Sequence, residues 1–178
     1  MTLSFLRLMI LGAAVAGSAA AWAATAGGEP SAVGLWEQVD EKSGQAESWF
    51  RITERNGMYF GQIVKTFPKP GDEPPEKWLC TKCEGAEQNA PVLSLQLIKG
   101  MQRNGLKYEN GTIMDPRDGA VYRAQMTLTP DGKQLDVRGY LLTPWLGRSQ
   151  IWNRLPDNAM GPAAPAAKAA PKANKNSR

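Results

Sequence analysis

The chain has no histidine and only two cysteines, Cys80 and Cys83. Without an imidazole, Ser-His-Asp and Cys-His nucleophilic sites are excluded. So are a His-ligated zinc site and a histidine general acid or base. Two cysteines alone fall short of the four ligands of a structural zinc site, and no cofactor is expected. Apolar runs of spanning length are also missing. The uncharged run from Leu8 to Ala21 is shorter than the roughly 20 residues a membrane span needs and is rich in Ala and Gly. It is preceded by a basic residue, Arg7, and followed by a small-x-small exit, Ala21-Trp22-Ala23. Those are the parts of a secretory signal peptide. Residues 1–23 are therefore expected to be cleaved, leaving a periplasmic protein that starts near Ala24. Secretion beyond the envelope is the alternative, and an uncleaved anchor is the competing reading. No transmembrane span is expected in the mature chain, and no cysteine near the cleavage site invites lipidation.

Charge of one sign is missing where it would matter most. The net +4 arises at the ends. Of 21 Lys and Arg, Arg7 lies in the leader, and Lys168, Lys172, Lys175 and Arg178 lie in the last segment. Of 17 Asp and Glu, only Asp157 lies outside the middle, which carries sixteen of each sign. A basic groove for nucleic acid is not indicated. The segment 157–178 is dominated by Ala, Pro and Lys. It has too few large apolar residues to offset the entropy of ordering and is expected to be disordered. Its basic residues could tether it to an anionic envelope polymer, or it could be an inert extension. Nothing in the pattern specifies an oligomeric state.

Between a short linker, 24–32, and that tail, residues 33–156 read as one domain. Turn signals recur along it. Asn56-Gly57 separates Trp49–Ile52 from Met58–Val64 and suits a type I′ hairpin, whose two central residues need positive φ. Ser43-Gly44, Asp118-Gly119 and Pro130-Asp131-Gly132 punctuate further apolar runs. Strands are expected at 33–40, 46–54, 57–67, 91–98, 106–114, 119–129, 134–142 and 147–154. By the period of two, Tyr122, Ala124, Met126 and Leu128 share one face, as do Leu135, Val137 and Gly139. Many short strands with Gly-containing turns and no long helical pattern predict an all-β sandwich or barrel. The stretch 68–90, with prolines at 68, 70, 74 and 75, is a long loop.

Three constellations invite a chemical reading. Cys80-Thr-Lys-Cys83 has a spacing that suits a local disulfide in an oxidising compartment. A thiol-exchange site and a metal site are the competing uses. Asp115-Pro-Arg-Asp-Gly119 pairs two carboxylates, as a glycosidase would, yet in a setting where Asp caps turn amides. Gly34-Leu35-Trp36 opens the domain and Trp152-Asn153-Arg154 closes it. An Arg from the last strand stacked on a Trp from the first would plug one end of a closed barrel.

The core also resembles the secreted bacterial proteins grouped as domain of unknown function 2147. The matching pieces are Val33-Gly34-x-Trp36, Gly61-Gln-Ile-Val64, Cys80-x-x-Cys83 and Pro91-Val-Leu-Ser-Leu95 with Lys99-Gly100. They continue with Gly111-Thr-Ile-Met-Asp115-Pro116-x-Asp118-Gly119-x-x-Tyr122 and Leu135-x-Val137-Arg138-Gly139-Tyr140. The last is Leu146-Gly147-Arg148-Ser-Gln150-x-Trp152-x-Arg154. Ser94 stands where that pattern has Gly. The resemblance implies an exported, lipocalin-like, up-and-down antiparallel barrel of about eight strands, and it supplies no settled activity. A small barrel can hold one small apolar ligand. The candidate contacts are Trp49, Tyr59, Tyr122, Tyr140 and Trp145. The alternatives are a non-enzymatic partner of an envelope component, working through the Cys-containing loop or the basic tail, and thiol–disulfide exchange at Cys80/Cys83. With no catalytic site legible, an enzyme is not the favoured reading.

Overall fold

The structure, a computed structural model, describes residues 29–161. The expected signal peptide and most of the tail lie outside the described residues.

Eight strands follow one another: β1 (Gly34–Val39), β2 (Ala46–Arg55), β3 (Met58–Thr66), β4 (Gln96–Asn104), β5 (Lys107–Met114), β6 (Val121–Leu128), β7 (Gln134–Tyr140) and β8 (Gly147–Leu155). Each pairs antiparallel with the next, and β8 returns to β1, so the sheet closes into an up-and-down barrel. Closure removes both sheet edges. The remaining regular structure among the described residues is three one-turn 3₁₀ helices, and no helix there is long and apolar enough to cross a membrane.

The turns explain the short connections. Asn56 and Gly57 have φ of 53° and 74°, the pair of positive values that a type I′ hairpin needs. Inside, the alternation holds as the period of two requires: Ala124, Met126 and Leu128 of β6 and Leu135 and Val137 of β7 are all buried.

Seven strands lie within two residues of the sequence expectation at each end. The fourth does not. It was expected at 91–98 and runs from Gln96 to Asn104. Its alternation is also broken by a register shift in its pairing with β3, where Tyr59 faces Met101 while Gly61 faces Ile98. Ile98 and Met101, both wholly buried, thus turn to the same side three residues apart, and a period-two pattern cannot show that. The alternating leucines of 91–95 belong to the end of the long loop. There Ser94 has φ 80°, a conformation in which a side chain is strained and glycine is not. Ser94→Gly is therefore expected to stabilise the protein by about 1 kcal/mol, read as a raised urea midpoint at unchanged slope. A lowered midpoint would show that the Ser side chain holds the loop instead.

The two ends of the barrel are built differently. At the end where β1 begins, the chain crosses the barrel and seals it. Residues 29–32, the end of the segment expected to be a linker, form part of that seal. Ala32 is fully buried; its N–H donates to the Tyr108 hydroxyl (2.8 Å) and its carbonyl accepts from Trp36 Nε1 (2.8 Å). Arg154 pairs with Trp36 in register and holds its guanidinium 4.2 Å over the Trp36 ring. The same guanidinium donates to the carbonyls of Ser31, Val33 and Gly132. A Cβ on Gly34 would sit 2.5 Å from Arg154 Nη1, so the Arg can cross only because residue 34 is glycine. Burial lowers the Arg154 pKa from the usual arginine value, since the charged form loses water. The opposite end is framed by the loops 40–45, 67–95, 115–120 and 141–146 and stays open.

Candidate functional site

The open end leads into a cavity of about 1370 Å³. Its floor is apolar. Phe50 and Trp152 stack there with centroids 4.1 Å apart and planes 13° from parallel, flanked by Ile63, Leu97 and Val137. The register explains why: Phe50 pairs with Trp36 on one side and Ile63 on the other, and Trp152 pairs with Leu135. Alternation then places Gln38, Ser48 and Gln150 higher on the same inner wall, and all three line the cavity. Ile113, Tyr122 and Gly139 complete it. The cavity is thus graded, with an aromatic and aliphatic base and a polar upper wall. Two buried polar atoms of lining residues, Thr66 Oγ1 and Trp152 Nε1, have no hydrogen-bond partner within the described residues. A buried, unpaired hydroxyl or indole N–H is costly unless something satisfies it.

Ion pairs tie the rim together. Lys69, from the long loop, bridges Asp40 (3.2 Å) and Glu47 (3.3 Å), joining three segments. The Ser43 backbone amide first, and then Lys69, hold the Asp40 carboxyl well below the usual carboxylate range, while Asp40 and Glu47 raise the Lys69 pKa. Arg117 grips Asp115 through Nε and Nη2 and lowers its pKa, against an opposing push from partial burial. Asp115 also accepts from the Arg117 amide, and Asp118 accepts from the Ala120 amide, so both carboxylates are committed to their own turn. Arg148 also lines the cavity, and it has no carboxylate partner among the described residues.

Cys80 and Cys83 are joined as a disulfide, with Cα atoms 5.3 Å apart and both residues buried. The bridge does not stand alone. Cys80 Sγ lies 3.4 Å from the Pro116 carbonyl oxygen and Cys83 Sγ lies 3.4 Å from Met114 Sδ. A Cβ on Gly119 would fall 2.1 Å from the Lys82 carbonyl oxygen. The disulfide turn and the Asp115–Gly119 turn, 35 residues apart in sequence, therefore pack backbone against backbone as one wall of the mouth. An attacking thiolate has no access to the buried sulfurs, which disfavours exchange chemistry. Among the described residues no three His, Cys, Asp or Glu side chains are placed to hold a metal.

The five aromatic candidates do not gather at one place. Tyr122 and Tyr140 line the cavity. Trp49 does not line it; its Nε1 donates to Glu37 and Lys65 packs on its ring, because Phe50 beside it takes the inner face. Tyr59 is buried at the sealed end in an edge contact with Tyr108. Trp145 sits on the 141–146 loop, 89% exposed. Of the residues taken from the family resemblance, Asp115, Pro116 and Gly119 form the docked turn. Arg138, Gly139, Gly147 and Arg148 surround the base of the 141–146 loop. The sequence does not mark the floor residues Phe50, Ile63 and Val137 as site residues. Their signal was the alternation of β2, β3 and β7, which separates inside from outside but does not tell core from cavity.

A family model described as "Uncharacterized protein conserved in bacteria (DUF2147)" matches residues 34–154. No curated protein matches the chain. Among solved structures, protein HP1028 from the human pathogen Helicobacter pylori, described as belonging to the lipocalin family, superposes with a TM-score of 0.58. The two are 16% identical, over 71% of this chain and 84% of that one. At that identity the likeness concerns the fold: a lipocalin-like, eight-stranded barrel.

Proposed function

The chain belongs to the DUF2147 family of bacterial proteins, and from that premise we propose that it is an exported, periplasmic, non-enzymatic barrel that binds a small hydrophobic ligand through its open mouth. One observation carries this reading: the cavity of about 1370 Å³ above the Phe50–Trp152 stack. A barrel that served only as a solid support would fill both halves with side chains, as this one fills its sealed end. Ligand sites are typically apolar cavities with a few placed polar groups. The graded wall fits a ligand whose apolar body rests on the stacked rings and whose polar end reaches Gln38, Gln150 and Arg148. The buried disulfide and the self-satisfied Asp115 and Asp118 support a framework role for those residues rather than chemistry.

Ser48 faces the lumen opposite Gln38, above the floor. Ser48→Trp should fill the upper cavity and leave the sealed core intact. Calorimetric titration with long-chain fatty acids, lysophospholipids and apolar metabolites should give saturable binding of at least one class, weakened about tenfold or more in the variant at an unchanged melting temperature. If every class fails to bind the wild type, or Ser48→Trp binds equally well, the cavity is not the ligand site.

A further inference from the structure

We propose that the loop joining β7 to β8 is a docking finger that seats the open mouth of the barrel on an anionic lipid surface. The loop reads Leu141-Leu-Thr-Pro-Trp-Leu146, and its large side chains stand in solvent: Leu141 is 65% exposed, Leu142 78%, Trp145 89% and Leu146 75%. Val121, 58% exposed, stands at the same end of the barrel, two residues before Arg123, which pairs with Tyr140 at the foot of the loop. The other large exposed apolar residues among those described, such as Met58, Leu79 and Ile151, are scattered and each under half exposed. Isolated apolar residues need no explanation, but a contiguous exposed patch marks an interaction site.

The loop is held in place. Residues Pro144–Leu146 form one 3₁₀ turn, closed by the Leu146 amide on the Thr143 carbonyl (3.1 Å). Arg138 braces it, donating to the Pro144 carbonyl and to the Ser149 hydroxyl. Presented this way, Trp and Leu side chains at the tip of a protrusion suit insertion at the level of lipid headgroups.

Charge selects the partner. Arg123 and Arg138 lie on the outer face at the base of the loop, and neither has a carboxylate partner among the described residues, whereas Lys69 and Arg117 elsewhere on the rim are both paired. Symmetric pairing of two copies through this loop would bring like-charged arginines together. Anionic headgroups would meet those same arginines favourably. Leu141 and Leu146 also line the cavity, so a seated finger places the cavity entrance at the lipid surface. The docking stands on the loop and its charges and does not depend on what the cavity holds.

The chain from Ala24 onward and its Leu142→Asp/Trp145→Asp variant can be compared by sedimentation with vesicles of phosphatidylglycerol or of phosphatidylcholine. The wild type should partition onto phosphatidylglycerol, and the variant should lose about tenfold or more of that partition. Phosphatidylcholine should bind the wild type severalfold more weakly. Arg123→Glu should also weaken phosphatidylglycerol binding while leaving the apolar tip intact. Unchanged unfolding of both variants would confine the effect to the surface. Equal partition of wild type and double variant would overturn the proposal. So would a wild-type dimer that the double variant splits without any vesicle binding.

Discussion

Trp36→Ala is expected to destabilise the barrel by about 4 kcal/mol, the middle of the range for truncating a buried aromatic side chain. The indole is fully buried, its Nε1 donates to the Ala32 carbonyl, and its face carries the Arg154 guanidinium. Truncation removes the packing, leaves the Ala32 carbonyl unpaired and takes away the surface on which the Arg rests. The cation–π contact accounts for only about 0.5–2 kcal/mol of this. Trp36→Phe keeps the ring and should therefore recover a large part of the loss. Urea unfolding followed by circular dichroism checks both variants. A loss below about 1 kcal/mol for Trp36→Ala would mean that the sealed end does not depend on this plug.

Gly119→Ala is expected to cost about 3 kcal/mol, or roughly 10 °C in the unfolding midpoint. Two costs combine. Gly119 has φ 74°, and the new methyl would have to share space with the Lys82 carbonyl oxygen, a backbone atom that cannot rotate away. The simplest relief is for the disulfide turn to lift off the Asp115–Gly119 turn. The variant should then be cut by protease within 67–95 far faster than the wild type, while the sealed end of the barrel stays protected. Opening the disulfide by Cys80→Ser/Cys83→Ser should cost about 2 kcal/mol by the chain-entropy account. In the triple variant the two losses should fall short of additive, because both loosen the same docked wall. A wild-type digestion pattern in Gly119→Ala would show that the loop does not rest there.

The sequence was legible where local chemistry decides the outcome. Asn56-Gly57 names its own hairpin, since the two residues tolerate the positive φ that the turn imposes. Alternation in β6 and β7 names the inner face, since successive side chains point to opposite sides. It was not legible in β4, where the register shift turns Ile98 and Met101 to one side. The ligand candidates show the same boundary. Tyr59 and Tyr122 both occupy inner positions, yet one is packed at the sealed end and the other lines a cavity. Nothing within either strand encodes the height at which the barrel ceases to be filled.

The sequence by itself determined an all-β domain of about eight strands, the absence of imidazole chemistry and a cysteine pair placed for a local bridge. Each of these depends on residue identity or on neighbours a few positions apart. The pairing of Trp36 with Arg154 at one end was also legible, but only the tertiary structure decided that residues 29–32 join that seal and that four loops leave the other end open. Only the tertiary structure set Phe50 against Trp152, laid the disulfide turn on Gly119 and left Trp145 in solvent. Those outcomes depend on which strands close the barrel and in what register, so they join residues up to 123 positions apart that no local pattern connects.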